Sequence, residues 1–168
     1  MKDFLQGFFG KKKKDDRATT DAELNAIFGP LRDSIVAFKD ETKISWSVIL
    51  PAVQKMSTRL LVRSRGLEAT RLLYSVMMDH HDRTQRIPTG AFLGVTITPE
   101  SPPEHLAQTN ILLSKFANDM IAKGYPIEHI AQAFGAFAIM TAEKVGDNLY
   151  ATALMVETYK ELQSDDFA

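Results

Sequence analysis

The chain has 168 residues, no cysteine and a formal net charge of −1. This length suits one domain with a substantial core, and the lack of cysteine excludes disulfides, thiolate catalysis and thiolate metal sites. With 45% apolar and 24% charged residues, the composition is that of a globular protein rather than a disordered one. No apolar run approaches the roughly 20 residues that span a bilayer, so we expect a cytoplasmic address, with attachment to a membrane surface as an alternative.

Residues 1–19 form a basic and apolar arm ahead of a predicted helical domain, 20–168. Its distinctive residues are Phe4, Leu5, Phe8, Phe9, Lys11, Lys12, Lys13 and Lys14. Apolar side chains on one face followed by lysines are typical of a segment that inserts shallowly into an anionic membrane surface. The same pattern is typical of a peptide that docks into an apolar groove on a partner protein. A third possibility is an arm that packs on its own domain.

The first predicted helix begins at Thr20, which forms a capping box with Glu23. An apolar stripe follows at Leu24, Ile27, Phe28, Leu31, Ile35 and Phe38. Pro30 interrupts this stripe and lacks an N–H group, so the sequence predicts a kink or a break near Gly29–Pro30.

A second helix is predicted to start at Ser45 or Ser47 and to end at Gly66. Lys55, Arg59 and Arg63 recur every four residues along it and form one basic ridge. Such a ridge can neutralise phosphates, but a pI of about 6.4 argues against nucleic-acid binding. We expect the ridge to pair with the acidic C-terminal half of the chain instead.

The third predicted helix runs from about Leu67 to Asp82. Its predicted core face consists of Ala69, Leu72, Leu73, Val76 and Met77. His80 continues this stripe and is interpreted as a core or interface histidine. His81 and Asp82 fall at the helix C-terminus, where a protonated imidazole is favoured by the helix dipole.

A cluster of metal-ligand residue types, Asp79, His80, His81 and Asp82, ends this helix. The dipeptide His81-Asp82 resembles the core of the HD phosphohydrolases, an all-α family that binds metal, but that pattern needs a histidine well upstream and none precedes His80. The triplet from Asp79 to His81 resembles the DHH phosphoesterases, which are α/β proteins. Neighbouring residues on a helix point about 100° apart and grip one ion poorly, so we expect no metal here and no cofactor.

Residues 87–103 break the helical pattern. Leu93, Val95 and Ile97 alternate with small or hydroxylated residues, which predicts a short extended or β-like excursion near residues 90–98. A single strand cannot satisfy its own backbone groups. It would pair with an N-terminal strand, with its copy in a second subunit or with a partner; otherwise it is an extended connector lying on the helices.

The C-terminal half returns to helical periodicity. Prolines at 102–103 and at 126 suit two helix starts, and a last helix follows "GDN" near residue 148. In the penultimate helix, small residues spaced four apart, Ala131 with Gly135 and Ala138 with Ala142, permit a close helix crossing. The fold class predicted from the whole sequence is an all-α, single-domain bundle of five or six helices.

These features favour a non-enzymatic, protein-binding adaptor or regulatory module that forms a homodimer. The N-terminal arm and the segment 87–103 would make the specific contacts, with another protein as the partner. One alternative is a peripheral membrane protein anchored by its arm on an anionic membrane surface. The other is a metal-dependent hydrolase that uses the cluster from Asp79 to Asp82.

Overall fold

A computed structural model describes residues 14–85, 88–97, 99–164 and 167, with side chains described from residue 21 onward. Across these ranges the chain forms six helices and no strand, which confirms the predicted all-α bundle. The helices are α1 (Lys14–Thr42), α2 (Trp46–Arg65), α3 (Leu67–Gln85), α4 (Pro103–Ala122), α5 (Ile127–Val145) and α6 (Asn148–Gln163). Within the described ranges, each helix is too short or too polar to cross a membrane.

Helix α1 begins at Lys14, ahead of the predicted cap at Thr20, and continues through Pro30. Of the predicted kink or break at Gly29–Pro30, the break is therefore wrong, and the kink stays a prediction. The proline removes one backbone hydrogen bond, but Ile27 and Leu31 on either side of it are fully buried. This burial holds both halves of α1 against the bundle and compensates for the missing bond.

The centre of the bundle is the pair α2 and α5. The Ser45 hydroxyl caps α2 by accepting a hydrogen bond from the Ser47 N–H at 3.2 Å, and Gly66 ends the helix with a φ of 87°. The two helices approach closely at Gly135, where an added Cβ would lie 3.0 Å from the Ser57 hydroxyl oxygen. That hydroxyl donates to the Ala131 carbonyl oxygen at 2.6 Å. The predicted close crossing through small residues is thus found between α2 and α5.

Aromatic rings join α1 and α4 to this central pair. Phe137 on α5 packs against both Phe28 of α1 and Trp46 of α2, with ring centroids about 6 Å apart in each case. Phe116 of α4 meets Phe134 of α5 edge-on at 5.9 Å. These contacts place α1 and α4 over the side of α5 that carries the phenylalanines, and α3 and α6 pack together elsewhere on α2.

Helix α3 is rotated relative to the sequence prediction. Its buried residues are Thr70 and Tyr74, whereas Leu72 is 65% exposed and Val76 is 44% exposed. The assignment of Ala69, Leu72 and Val76 to the core is wrong. The other two residues of the predicted core face, Leu73 and Met77, are partly buried and pack against the core. The buried polar residues are satisfied by hydrogen bonds, which offsets the cost of burying them.

The described part of the connection between α3 and α4, residues 88–97 and 99–102, does not show the predicted extended excursion. Residues Thr89–Phe92 form a 3-10 turn, and Leu93 continues it with right-handed helical angles. Leu93 and Val95 are exposed, while Ile97 is partly buried against the core. The Asp82 carboxylate accepts hydrogen bonds from the Thr89 N–H at 2.7 Å and from the Thr89 hydroxyl at 2.9 Å. These bonds start a turn at Thr89, ahead of the alternating residues that predicted a strand.

Ion pairs join the basic middle of the chain to its acidic C-terminal half. Arg65 makes two hydrogen bonds to the Glu128 carboxylate, at 2.8 and 3.0 Å. These bonds are the main reason why the pKa of Glu128 is lowered. A weaker pair joins Lys55 to Glu161 at 3.5 Å.

Candidate functional site

A cavity of about 180 Å³ lies among α2, α3, α5 and α6. It exists because α3 packs on α2 and α6 and leaves space toward α5, where Ala131 and Gly135 are small. The lining residue Ala151 of α6 is small as well. The larger apolar side chains of its wall are Leu61, Leu73, Met77, Ile139 and Met155. The wall is therefore mainly apolar, as in most small-molecule sites.

The inner end of the cavity is polar and held by a closed ring of hydrogen bonds. The Gln54 Nε2 group donates to the Tyr74 hydroxyl at 2.8 Å, which lies 2.9 Å from the Thr58 hydroxyl. Thr58 donates its own hydrogen to the Gln54 backbone carbonyl at 3.0 Å. Tyr74 must therefore donate to Thr58 and accept from Gln54, which fixes the orientation of the Gln54 amide.

This ring leaves one polar atom without a partner. The Oε1 atom of Gln54 is buried and accepts no hydrogen bond from the described part of the chain. Gln54 itself is only 3% exposed and contributes to the cavity lining. Beside it, burial raises the pKa of Tyr74 to about 12, so this phenol is neutral at physiological pH.

The outer end of the cavity reaches solvent between the C-terminal turns of α3 and α5 and the start of α6. Exposed lining residues from these three helices are Thr84, Gln85, Glu143 and Asn148. Because they lie at the same end of the bundle, they form the mouth of the cavity. A small molecule would enter by this route.

His81 lies in the cavity wall and joins α3 to α6. Its Nε2 atom is 2.9 Å from the Thr152 hydroxyl, and that hydroxyl donates its hydrogen to the Asn148 carbonyl at 2.7 Å. The Nε2 atom is therefore the donor in the first contact. Burial lowers the pKa of His81, which favours the neutral ring with Nδ1 unprotonated.

This histidine–threonine pair does not have the arrangement of an activated nucleophile. A general base must accept the proton of the hydroxyl that it activates, whereas here the histidine donates to Thr152. Another cavity hydroxyl, that of Ser57, donates to a backbone carbonyl of α5. The hydroxyls of Thr152 and Ser57 both anchor helices to one another.

The cluster from Asp79 to Asp82 is dispersed by the helix. His81 faces the cavity, Asp82 holds the turn at Thr89, and Asp79 and His80 are exposed. The interpretation of His80 as a core histidine is wrong, because its neighbour His81 takes the inward position. Among the described residues, no group of three or more acidic or histidine side chains is arranged to hold a metal ion.

The other predicted contact residues whose side chains the structure describes lie on the basic ridge of α2 and in the connection after α3. On the basic ridge, Lys55 pairs with Glu161, while Arg59 and Arg63 are exposed and make no ion pair with the described residues. The N-terminal contact residues, from Phe4 to Lys13, lie outside the described residues. Lys14 is described only as the first residue of α1.

Sequence reasoning missed the polar end of the cavity. Gln54, Ser57 and Thr58 lie on the buried face of α2 and interrupt its otherwise apolar residues. That interruption was a detectable sign, because buried polar side chains need partners. Tyr74, their partner on α3, lies 16 to 20 residues further along the chain, so the sequence alone could not pair them.

Comparison with protein-family models, with curated proteins and with solved structures finds no match to this chain.

Proposed function

We propose that this chain is a non-enzymatic helical module that binds a small, largely apolar molecule in the cavity among α2, α3, α5 and α6. The observation that carries this proposal is the cavity itself, which combines an apolar wall, a mouth at one end of the bundle and a buried polar inner end. Concave apolar sites with a few fixed polar groups are the usual form of ligand pockets.

The volume limits the size of the ligand. A cavity of roughly 150 Å³ in another protein accommodates benzene, and this one measures about 180 Å³. A single six-membered ring with one or two substituent atoms therefore fits. Burial of such a ring would be favoured by contact with Met77, Ile139 and Met155.

The test is a thermal-unfolding measurement on the full chain with toluene as the probe. A ligand that binds only the folded state, present at ten times its Kd, stabilises that state by about 1.4 kcal/mol. For a chain of this size, that raises the Tm by about 3–6 °C. The proposal fails if saturating toluene leaves the Tm unchanged.

A matched pair of variants locates the binding. Ala151 lines the cavity, so Ala151→Leu should fill part of it and abolish the toluene effect. Ala107 is exposed on α4 and does not line the cavity, so Ala107→Leu should keep the full Tm rise. A toluene effect that persists in a folded Ala151→Leu variant would place the binding elsewhere.

A second candidate function, protein binding, is favoured by the outer face of α3. Leu72 and Val76 are exposed, four residues apart and on one side of this helix, next to the exposed Ala69. Helix α3 has an acidic first turn with Glu68 and a basic last turn with Arg83. Because antiparallel pairing of two such helices brings opposite charges together, the partner proposed here is a second copy of this chain.

Light scattering at increasing protein concentration tests the homodimer. The average mass should rise from 18.8 kDa toward twice that value, and Leu72→Glu should keep the protein monomeric by adding a charge to the apolar face. Three apolar residues per copy form a small interface, so the association should be weak. A mass that stays monomeric at every concentration contradicts the homodimer.

A further inference from the structure

The buried polar end of the cavity indicates which hydrogen-bonding group a ligand would carry. The hydrogen-bond ring through Gln54, Thr58 and Tyr74 uses every hydroxyl hydrogen at this end. It also directs the amide nitrogen of Gln54 to Tyr74. One hydrogen of the amide nitrogen is used by Tyr74. The polar atom at this end that has no hydrogen-bond partner at all, within the described part of the chain, is an acceptor, the Gln54 Oε1 atom.

The ring itself determines the orientation of that amide. If the amide were reversed, Oε1 would face Tyr74, and the nitrogen with its two hydrogens would be buried without an acceptor. The reversed amide would make no hydrogen bond, whereas the observed one donates to Tyr74, and each unmade buried hydrogen bond costs about 1–3 kcal/mol. The arrangement with a free carbonyl oxygen is the more stable one.

The cavity wall also selects against charge. Of the described residues that line the cavity, none is a lysine or arginine and one is acidic, Glu143, which lies exposed at the mouth. The inner wall offers neutral side chains, so an ion would lose its hydration without gaining a counter-charge. A neutral ligand avoids this cost.

We propose that the cavity takes a small neutral molecule with one hydrophobic ring and one O–H or N–H group, which donates a hydrogen bond to the Gln54 Oε1 atom. This inference rests on the proposed ligand-binding function and adds the chemical class of the ligand. Phenol is the simplest probe of this class. Toluene is its matched control, because a methyl group of similar size replaces the hydroxyl.

The experiment is a thermodynamic cycle with two probes and two proteins. The Kd values of phenol and toluene are measured for the unaltered full chain and for Gln54→Met, which keeps an unbranched side chain and removes the acceptor. The ratio of the toluene Kd to the phenol Kd should fall about two- to tenfold in the variant, the usual net effect of one hydrogen bond. Differences in the hydration of the two probes cancel in this comparison.

The outcomes separate the two proposals. If both probes bind but the ratio is the same in both proteins, the donor inference is overturned and the ligand-binding function stands. If neither probe binds the unaltered protein, the ligand-binding function itself fails, and the inference with it.

A second measurement keeps the inference testable if Gln54→Met does not fold. In the unaltered protein, the side-chain carbonyl carbon of Gln54 is observed by NMR during titration with each probe. Phenol should move this resonance through the new hydrogen bond, and toluene should move it much less. Equal movement with both probes would contradict a hydrogen bond to Oε1.

Discussion

Replacing Tyr74 with phenylalanine tests the hydrogen-bond ring at the inner end of the cavity. The change removes the hydroxyl that accepts from Gln54 and donates to Thr58, and it leaves the Gln54 N–H group buried without its partner. An unsatisfied buried group of this kind costs about 1–3 kcal/mol. Urea unfolding at pH 8, followed by circular dichroism, should show Tyr74→Phe to be less stable by that amount.

The pH dependence of this difference is the sharper test. The pKa of Tyr74 is raised to about 12 by burial, from 10.0, so the neutral phenol stabilises the folded state fully below pH 10. This stabilisation is lost as the pH rises from 10 to 12, because the unfolded chain releases its proton first. At pH 11 the folded state has lost about 1.4 kcal/mol of this stabilisation, which is the free energy that corresponds to one pH unit above the unfolded pKa. The advantage of tyrosine over phenylalanine should shrink by this amount between pH 8 and pH 11.

A core variant without a titratable group provides the control. Ile49 is fully buried in α2, and Ile49→Val should cost about 0.5–1.5 kcal/mol. Its difference from the unaltered protein should be the same at pH 8 and at pH 11. An equally constant difference for Tyr74→Phe would refute the buried, hydrogen-bonded phenol.

Two further predictions concern the frame around the cavity. Arg65→Met removes the ion pair with Glu128 and should lower the free energy of unfolding by about 0.5–1 kcal/mol at pH 7. Because the pKa of Glu128 is lowered, this difference should disappear as the pH falls through that pKa. If urea unfolding gives the same difference at pH 7 and at pH 3, the ion pair is contradicted. Gly66→Ala should cost about 1–3 kcal/mol because its φ of 87° is strained for any side chain. Thermal melts in which Gly66→Ala is as stable as the unaltered protein would be inconsistent with this backbone.

The sequence predicted the helices well and one helix face poorly. Caps and end signals such as Ser45 and Gly66 act locally, so they could be identified without tertiary information. The face of α3 could not, because hydrophobicity favoured Leu72 and Val76 over Thr70 and Tyr74. The latter pair is buried since partners on other turns and helices satisfy its hydroxyls, and those partners are apparent only once the chain has folded.

Contacts that form only in the folded chain also decide the positions of His80 and His81. The cluster at residues 79–82 suggested a metal site because its residue types are metal ligands, but the helix sends its members in different directions. His81 becomes part of a cavity wall through Thr152, which lies 71 residues away. The turn at Thr89 is likewise held by Asp82 across seven residues, and this contact overrides the alternation at Leu93, Val95 and Ile97 that predicted an extended segment.

The measurement that tests the central proposal most directly is an NMR titration of methyl-labelled methionines with phenol. Met77 and Met155 line the cavity, whereas Met56 and Met120 are buried elsewhere in the core. We expect saturable shifts of the Met77 and Met155 methyl resonances, with Met56 and Met120 nearly unchanged. No saturable shift at any methionine, or equal shifts at all four, would contradict a ligand site in this cavity.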